Sequence, residues 1–230
     1  MTRQVNCIIV AAGSGRRFGA PTPKQFCDLA GRPLLMTTVE RLRFALPDTR
    51  MLLILNESWV GRWLEMCREH SFASPEIVAG GDTRLQSVAN ALNAIGDSGD
   101  SVTLVHDGAR PLVSPAVVDA VVNAIVNDNA QGAIPCVPLT DSIRQIAPDG
   151  TSHAADRSLF RAVQTPQAFP TALLKQAYAL PSTPRMTDDA SVMEGAGFTD
   201  IRIVDGDPRT LKITHPADLI LAEQLLSHDS

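Results

Sequence analysis

Cysteine is scarce in this chain and scattered along it. Cys7, Cys27, Cys67 and Cys136 stand far apart with no Cys-x-x-Cys pair, which weighs against a zinc knuckle or a disulfide framework and suits reduced thiols in a cytoplasmic protein. A run of roughly 18 apolar residues is missing too, so no membrane helix is expected. The apolar stretch 5–12 is interrupted by Asn6 and followed by Arg16 and Arg17, which makes it a poor signal peptide. Positive charge is not in surplus: the formal net charge of −5 argues against a surface that coats nucleic acid. The histidines fall in no His-Glu-x-x-His frame, and Ser14 lacks the glycine two positions earlier that a nucleophile elbow needs. Zinc and serine hydrolase readings therefore fall behind.

What is present suits a globular enzyme of ordinary size. A chain of 230 residues with 44% hydrophobic content fits one α/β domain with a sizeable core. Its most informative stretch is Val10-Ala-Ala-Gly-Ser-Gly-Arg-Arg-Phe-Gly-Ala-Pro-Thr-Pro-Lys-Gln-Phe26, a strand end running into a glycine loop. Gly13 and Gly15 let backbone N–H groups approach an anion closely, and Arg16, Arg17 and Lys24 add the charge that bare amides lack. Two common phosphate loops do not match. A Walker loop needs Gly-Lys-Ser/Thr where Phe18 stands. A dinucleotide fingerprint needs a third glycine at Phe18 and a helix at once, which Pro21 and Pro23 prevent, and the acidic residue expected about 20 positions on is missing. The loop suits a nucleotide rather than a polymer.

Along the chain, strands and helices alternate. Strands are predicted at 5–12, 51–56, 76–79, 102–106 and 133–137, with helices at 34–46, 58–70, 83–95 and 115–127. That rhythm predicts a Rossmann-like, mostly parallel sheet with helices on both faces and ligands outside the carboxyl ends of its strands. The glycine loop, Gly80-Gly81-Asp82 and His106-Asp107-Gly108-Ala109-Arg110 each follow a strand, so they are predicted to share one pocket. Residues 138–169 break the alternation. Asp149-Gly150 offers a hairpin turn there, giving a projecting β-arm at about 138–160 whose use is pairing with a second subunit, since a lone hairpin is marginal in water. A surface loop is the alternative reading. Helices at 170–180 and from 187, a strand at 198–204 and a last helix from Pro216 complete the chain. Lys212, between Leu211 and Ile213, is predicted on a short apolar strand that directs its cation; an ordinary edge-strand lysine is the plainer alternative.

These residues carry a resemblance that covers nearly the whole chain. The glycine loop with Pro23-Lys-Gln-Phe26, then Val105-His-Asp-Gly-Ala-Arg-Pro111, Gln164-Thr-Pro-Gln167, Thr187-Asp-Asp-Ala-Ser191 and Lys212-Ile-Thr-His-Pro-Ala-Asp-Leu219 resemble the 2-C-methyl-D-erythritol 4-phosphate cytidylyltransferase family in order and spacing. The resemblance implies cytidylyl transfer from CTP, with release of pyrophosphate, in the non-mevalonate isoprenoid pathway. Arg17 and Lys24 would then stabilise charge on the α-phosphate, and Arg16 with the amides around Gly13 and Gly15 would hold the outer phosphates. Ala11, Ala12, Gly81 and Ser87 would lie around the base, with Asp82 nearby and Gly108 on the ribose side. Arg157, from the partner's arm, and Lys212 would position the acceptor phosphate, with Asp107, Arg110, Ser142, Thr165 and Thr187 lining its hydroxyl side. Ser142 departs from the threonine the family often carries there. Magnesium is expected across the triphosphate, approached by Asp107 or Asp205. Three other readings stay open: a ribitol-5-phosphate cytidylyltransferase, which shares most of these motifs, a sugar-nucleotide pyrophosphorylase using UTP or dTTP, and a nucleotide-sensing module without catalysis.

Overall fold

A computed structural model of the chain describes residues 3–13, 23–96, 99–181, 183 and 186–228. Gly15, Arg16 and Arg17, with the turn of the glycine loop, lie outside the described residues. The first half runs β1 (Gln4–Val10), β2 (Asp28–Leu29), β3 (Arg32–Pro33), α1 (Leu34–Ala45), β4 (Arg50–Leu55), α2 (Glu57–Glu69), β5 (Glu76–Ala79), α3 (Arg84–Ile95), β6 (Ser101–Asp107) and α4 (Pro115–Val126). Several helices begin where the sequence supplies a cap. Asn56, Thr83 and Ser114 each accept a hydrogen bond from an early backbone N–H, and Pro115 needs no such partner of its own.

Alternation of side chains along buried strands explains why helices cover both faces. Cys7 and Ile9 of β1, Met51, Leu53 and Leu55 of β4, and Val102 and Leu104 of β6 pack with Leu35, Val39, Trp63 and Val118 of α1, α2 and α4. Ile8, Leu52, Ile54 and Val105 point the other way, into a cluster with Val88, Leu92 and Ile95 of α3. Strands buried on both faces read as continuous apolar runs, which is how these strands look in the sequence.

The second half runs β7 (Gly132–Pro138), β8 (Ile143–Ile146), β9 (Ser152–Ala155), β10 (Arg161–Val163), β11 (Gln167–Pro170), α5 (Thr171–Tyr178), α6 (Asp189–Gly195), β12 (Ile201–Asp205) and α7 (Pro216–Ser227). Among the described residues eight strands form one sheet, in the path β10-β7-β11-β6-β1-β4-β5 with β12 on β7. β1 is parallel to both β4 and β6, and β4 to β5. β11 is antiparallel to β6 and β7, so β7 keeps the direction of β6. The sheet is thus α/β and mostly parallel, flanked by helices.

Two sequence expectations need correction. The stretch 138–169 is not irregular to its end, because β10 and β11 return to the sheet. β11 is short, ends in a proline and carries Gln167, which hid it among polar residues. Lys212 does not lie on a strand: residues 211–214 have no regular structure. They are held instead by Ile213, whose N–H donates to the Ala109 carbonyl at 2.8 Å. The hairpin at Asp149-Gly150 is present. β8 pairs antiparallel with β9 and with no other strand among the described residues, and Gly150 takes a φ of 84° at the turn. No helix among the described residues is long and apolar enough to cross a membrane.

Candidate active site

The carboxyl ends of β1, β4, β5 and β6 open on a cavity of about 690 Å³, within the size range of small-molecule sites. Backbone packing brings these ends close. The Ala11 N–H donates to the Ile54 carbonyl at 3.0 Å, Gly80 to Leu55 at 2.8 Å and Gly108 to Val10 at 2.9 Å. Glycine is required at two of these contacts. A Cβ on Gly80 would stand 2.5 Å from the Ala12 Cβ, and one on Gly108 would meet the Leu35 side chain at 3.0 Å and the Ala11 Cβ at 3.1 Å. Ala11, Ala12, Gly13, Gly81, Asp82, Ser87 and Gly108 all line the cavity, as their positions predict. Ser87 is buried, and its hydroxyl works on the backbone: it accepts from the Gly81 N–H at 3.0 Å and donates to the Thr83 carbonyl at 2.8 Å.

Lys24 sits in a single 3-10 turn, Lys24–Phe26, anchored by the two residues after it. Gln25 is buried and donates to the Ala11 carbonyl at 2.9 Å, while Phe26 packs against Trp59 and Trp63 at ring distances of 5.8 and 6.3 Å. Lys24 Nζ reaches across to the Ile213 carbonyl at 2.8 Å. The same short segment carries Lys212, whose Nζ lies 2.7 Å from Asp107 Oδ2. Lys24 and Lys212, 188 positions apart in sequence, therefore line one cavity.

Asp107 is the electrostatic hub. Its side chain faces Lys212 directly, with Arg84 Nε 3.8 Å from one oxygen and Arg110 Nε 3.8 Å from the other. Burial alone would push its pKa up, but Lys212, Arg84 and Arg110 outweigh that and hold it at about 2. Behind it the motif Gln164-Thr-Pro-Gln167 acts as a staple. Thr165 Oγ1 accepts from the Asp107 N–H at 3.0 Å and pairs with His106 Nδ1 at 3.1 Å; His106 Nε2 pairs with the Arg110 carbonyl at 3.1 Å. A carbonyl only accepts, so Nε2 carries the proton and Nδ1 accepts from Thr165. Burial pushes the fully enclosed imidazole down to about 4, which keeps it neutral. Gln164 exchanges hydrogen bonds with the backbone of Asp207, and Gln167 with Asp188 and Ala190 at the start of α6.

Arg110 and Thr165 thus stand behind Asp107 rather than in the cavity wall. Arg110 donates to the Thr210 carbonyl at 2.8 Å, and its buried Nε has no hydrogen-bond partner among the described residues. Ser142, Arg157, Thr187 and Asp205 are exposed and do not belong to the described cavity wall. Arg157, beyond β9, donates to the Thr140 carbonyl, and Asp205 closes β12 opposite Cys136. Sequence reasoning missed Arg84, Gln25 and Asn56, which also line the cavity. Gln25 sits inside the loop motif and had that signal. Arg84 follows Gly-Gly-Asp-Thr, where a helix-opening arginine reads as solvated.

The chain matches the family described as IspD: 2-C-methyl-D-erythritol 4-phosphate cytidylyltransferase over residues 5–228. A protein of that name from Porphyromonas gingivalis is 41% identical over 229 residues, 99% of this chain and 100% of the relative. The crystal structure of 2-C-methyl-D-erythritol 4-phosphate cytidylyltransferase from Thermus thermophilus superposes with a TM-score of 0.74 at 32% identity, covering 97% of this chain and 99% of the other. That of 4-diphosphocytidyl-2C-methyl-D-erythritol synthase from Anaerococcus prevotii gives 0.81 at 25% identity, covering 98% and 99%. With the motifs, the fold and these matches all spanning the chain, it belongs to the 2-C-methyl-D-erythritol 4-phosphate cytidylyltransferase family.

Proposed function

We propose that residues 1–230 act as one nucleotidyltransferase domain that makes 4-diphosphocytidyl-2-C-methyl-D-erythritol and pyrophosphate from CTP and 2-C-methyl-D-erythritol 4-phosphate, the reaction of its family. The observation that carries this reading is the meeting of Lys24, Lys212 and Asp107 with the glycine-flanked strand ends in one cavity. In the reaction a phosphate oxygen of the acceptor forms a bond to the α-phosphorus of CTP. The bond from that phosphorus to the bridging oxygen breaks in line, and pyrophosphate leaves with the electron pair.

Two polyanions must approach for this to happen. At 4 Å two unit charges repel by ~4 kcal/mol at an effective dielectric near 20, so fixed cations around the α-phosphorus are the main requirement. Lys24 supplies one from the nucleotide side, with Arg16 and Arg17 assigned to the same task from the loop. Lys212 supplies one from the acceptor side, aimed by Asp107. Ala11, Ala12 and Gly81 offer backbone groups to the base, and the lack of a Cβ at Gly80 and Gly108 lets base and ribose approach.

A divalent cation fits this site only as a guest of the triphosphate. Among the described residues no group of three metal-binding side chains gathers, and the Asp107 carboxylate already faces three cations. Magnesium, which keeps few protein ligands and prefers phosphate oxygens, would bridge those oxygens, with Asp107 as the carboxylate nearest to it. When bound it would neutralise charge on the triphosphate.

The arm gives the reason for proposing a homodimer. β8 and β9 pair only with each other among the described residues, and Ile146, Leu159, Phe160 and Val163 around them are 65, 79, 48 and 41% exposed. An isolated hairpin with apolar flanks gains stability by packing on a second copy, and that packing would carry Arg157 over the partner's acceptor site. The direct test is pyrophosphate release from CTP with methylerythritol phosphate, against ribitol 5-phosphate as acceptor and UTP as donor. Turnover is expected with the first pair. Turnover with ribitol 5-phosphate and none with methylerythritol phosphate would overturn the assignment.

A further inference from the structure

One buried cluster at the cavity edge has no part in the bond-making and bond-breaking of cytidylyl transfer. Arg84 opens α3, next to the Gly80–Thr83 turn, and its two terminal nitrogens grip Asp189 at 3.0 and 2.6 Å. Asp189 opens α6, is completely buried, and also accepts from the Tyr178 hydroxyl at 2.5 Å. A guanidinium carries five N–H donors in a rigid fork. With the two-nitrogen end committed to Asp189, Nε is turned toward Asp107, 3.8 Å from Oδ1. Lys212 holds Oδ2 of the same carboxylate at 2.7 Å. The carboxylate therefore has a fixed cation on each side. A bidentate pair with a buried partner holds its geometry far better than an exposed one.

We propose that Arg84 is a positioning residue for cytidylyl transfer: clamped by Asp189 and Tyr178, it fixes the Asp107 carboxylate so that Lys212 presents its ammonium to the acceptor phosphate. This rests on the assignment of Lys212 to the acceptor. The clamp explains why an arginine stands at a helix start with no acidic neighbour in its first turn. Its partners are 105 and 23 positions away, at Asp189 and Asp107.

Arg84→Lys is the informative variant, because lysine keeps a positive charge for buried Asp189 but has no Nε–H to turn toward Asp107. Misplacing a reacting group by about 1 Å costs on the order of 100-fold, so kcat/KM for methylerythritol phosphate is expected to fall roughly 10- to 100-fold. KM for CTP stays within about twofold, since the base and loop contacts are untouched. Asp189→Asn, which keeps the arginine and loosens the clamp, is expected to show the same acceptor-selective loss. Thermal melting of each variant checks the fold. Equal losses for both substrates, or wild-type kinetics in Arg84→Lys, would overturn the proposal. Lys212→Gln separates the two levels. If it raises the acceptor KM while both clamp variants are neutral, the clamp is refuted and the site reading survives. If Lys212→Gln leaves the acceptor KM unchanged, the site reading itself falls.

Discussion

Lowering the pH from 8 to 5 is expected to destabilise this protein through one buried residue, His106. The imidazole is shut off from water, its Nε2–H donates to the Arg110 carbonyl, and its Nδ1 accepts from Thr165. A proton added at Nδ1 would break the Thr165 bond and bring a positive charge beside Arg110. Burial therefore holds the folded pKa at about 4, against 6.5 for the ordinary side chain. Between those values the unfolded chain binds the proton and the folded chain does not, so stability falls as pH falls. Linkage over that window gives a loss of about 2 kcal/mol at pH 5 relative to pH 8. Asp107 does not contribute there. Its pKa is depressed from 3.8 to about 2, so its stabilisation is present above pH 4 and is lost only as pH drops through the folded value. Urea unfolding followed by the fluorescence of Trp59 and Trp63, for the wild type and His106→Gln, measures the effect. The wild type should lose about 2 kcal/mol more than the variant between pH 8 and pH 5. Equal losses would refute the buried, neutral histidine and with it the Thr165 tautomer argument.

Three further expectations concern the reaction and its assembly. Lys24→Gln should lower kcat by roughly 10²- to 10³-fold with a smaller change in CTP affinity, as removal of a single transition-state donor does; single-turnover kinetics separate the two. Gly80→Ala places a Cβ 2.5 Å from that of Ala12. It should cost about 1–3 kcal/mol of stability and raise the CTP KM, read by thermal melting and initial rates; a variant with both unchanged would show that the strand ends yield freely. Mixing Arg157→Gln with Lys212→Gln subunits after co-refolding should restore roughly a quarter of wild-type activity, since each hybrid dimer holds one intact site. No recovery would place Arg157 in its own subunit's site or in none.

Much of this architecture was legible because local chemistry and tertiary demand agree. β5 is found at the predicted residues, 76–79, and α4 begins at the predicted Pro115. Gly80, Gly81 and Gly108 stand where strands end, and a phosphate site at the carboxyl edge of a parallel sheet needs small residues there. What was hidden depends on contacts between distant residues. Lys212 is aimed by an ion pair to a carboxylate 105 positions away rather than by strand alternation. β11 is short because Thr165 and Gln164 on one side and α5 on the other are already committed. Its pairing with β6 was not visible in a polar stretch.

The arrangement of cations also explains why the motifs are spread so widely. A site that binds one polyanion can be built from a single loop, as phosphate loops show. Here two polyanions must be held against their mutual repulsion, on opposite sides of one phosphorus atom, and one loop faces only one side. The second set of charges has to come from another part of the chain. Residues 211–214 supply it by bridging the sheet: Ile213 is tied to Ala109 at the end of β6, its carbonyl accepts from Lys24, and Lys212 is tied to Asp107. An insertion of one residue in that segment would break the Ile213 tie and the Lys212 pair together. Both cations lose their fixed positions at once, so such a variant should lose turnover by more than the product of Lys24→Gln and Lys212→Gln if the bridge also orders the strand ends. A loss no greater than that of Lys212→Gln alone would show that Lys24 is placed by Gln25 and Phe26 and owes nothing to the bridge.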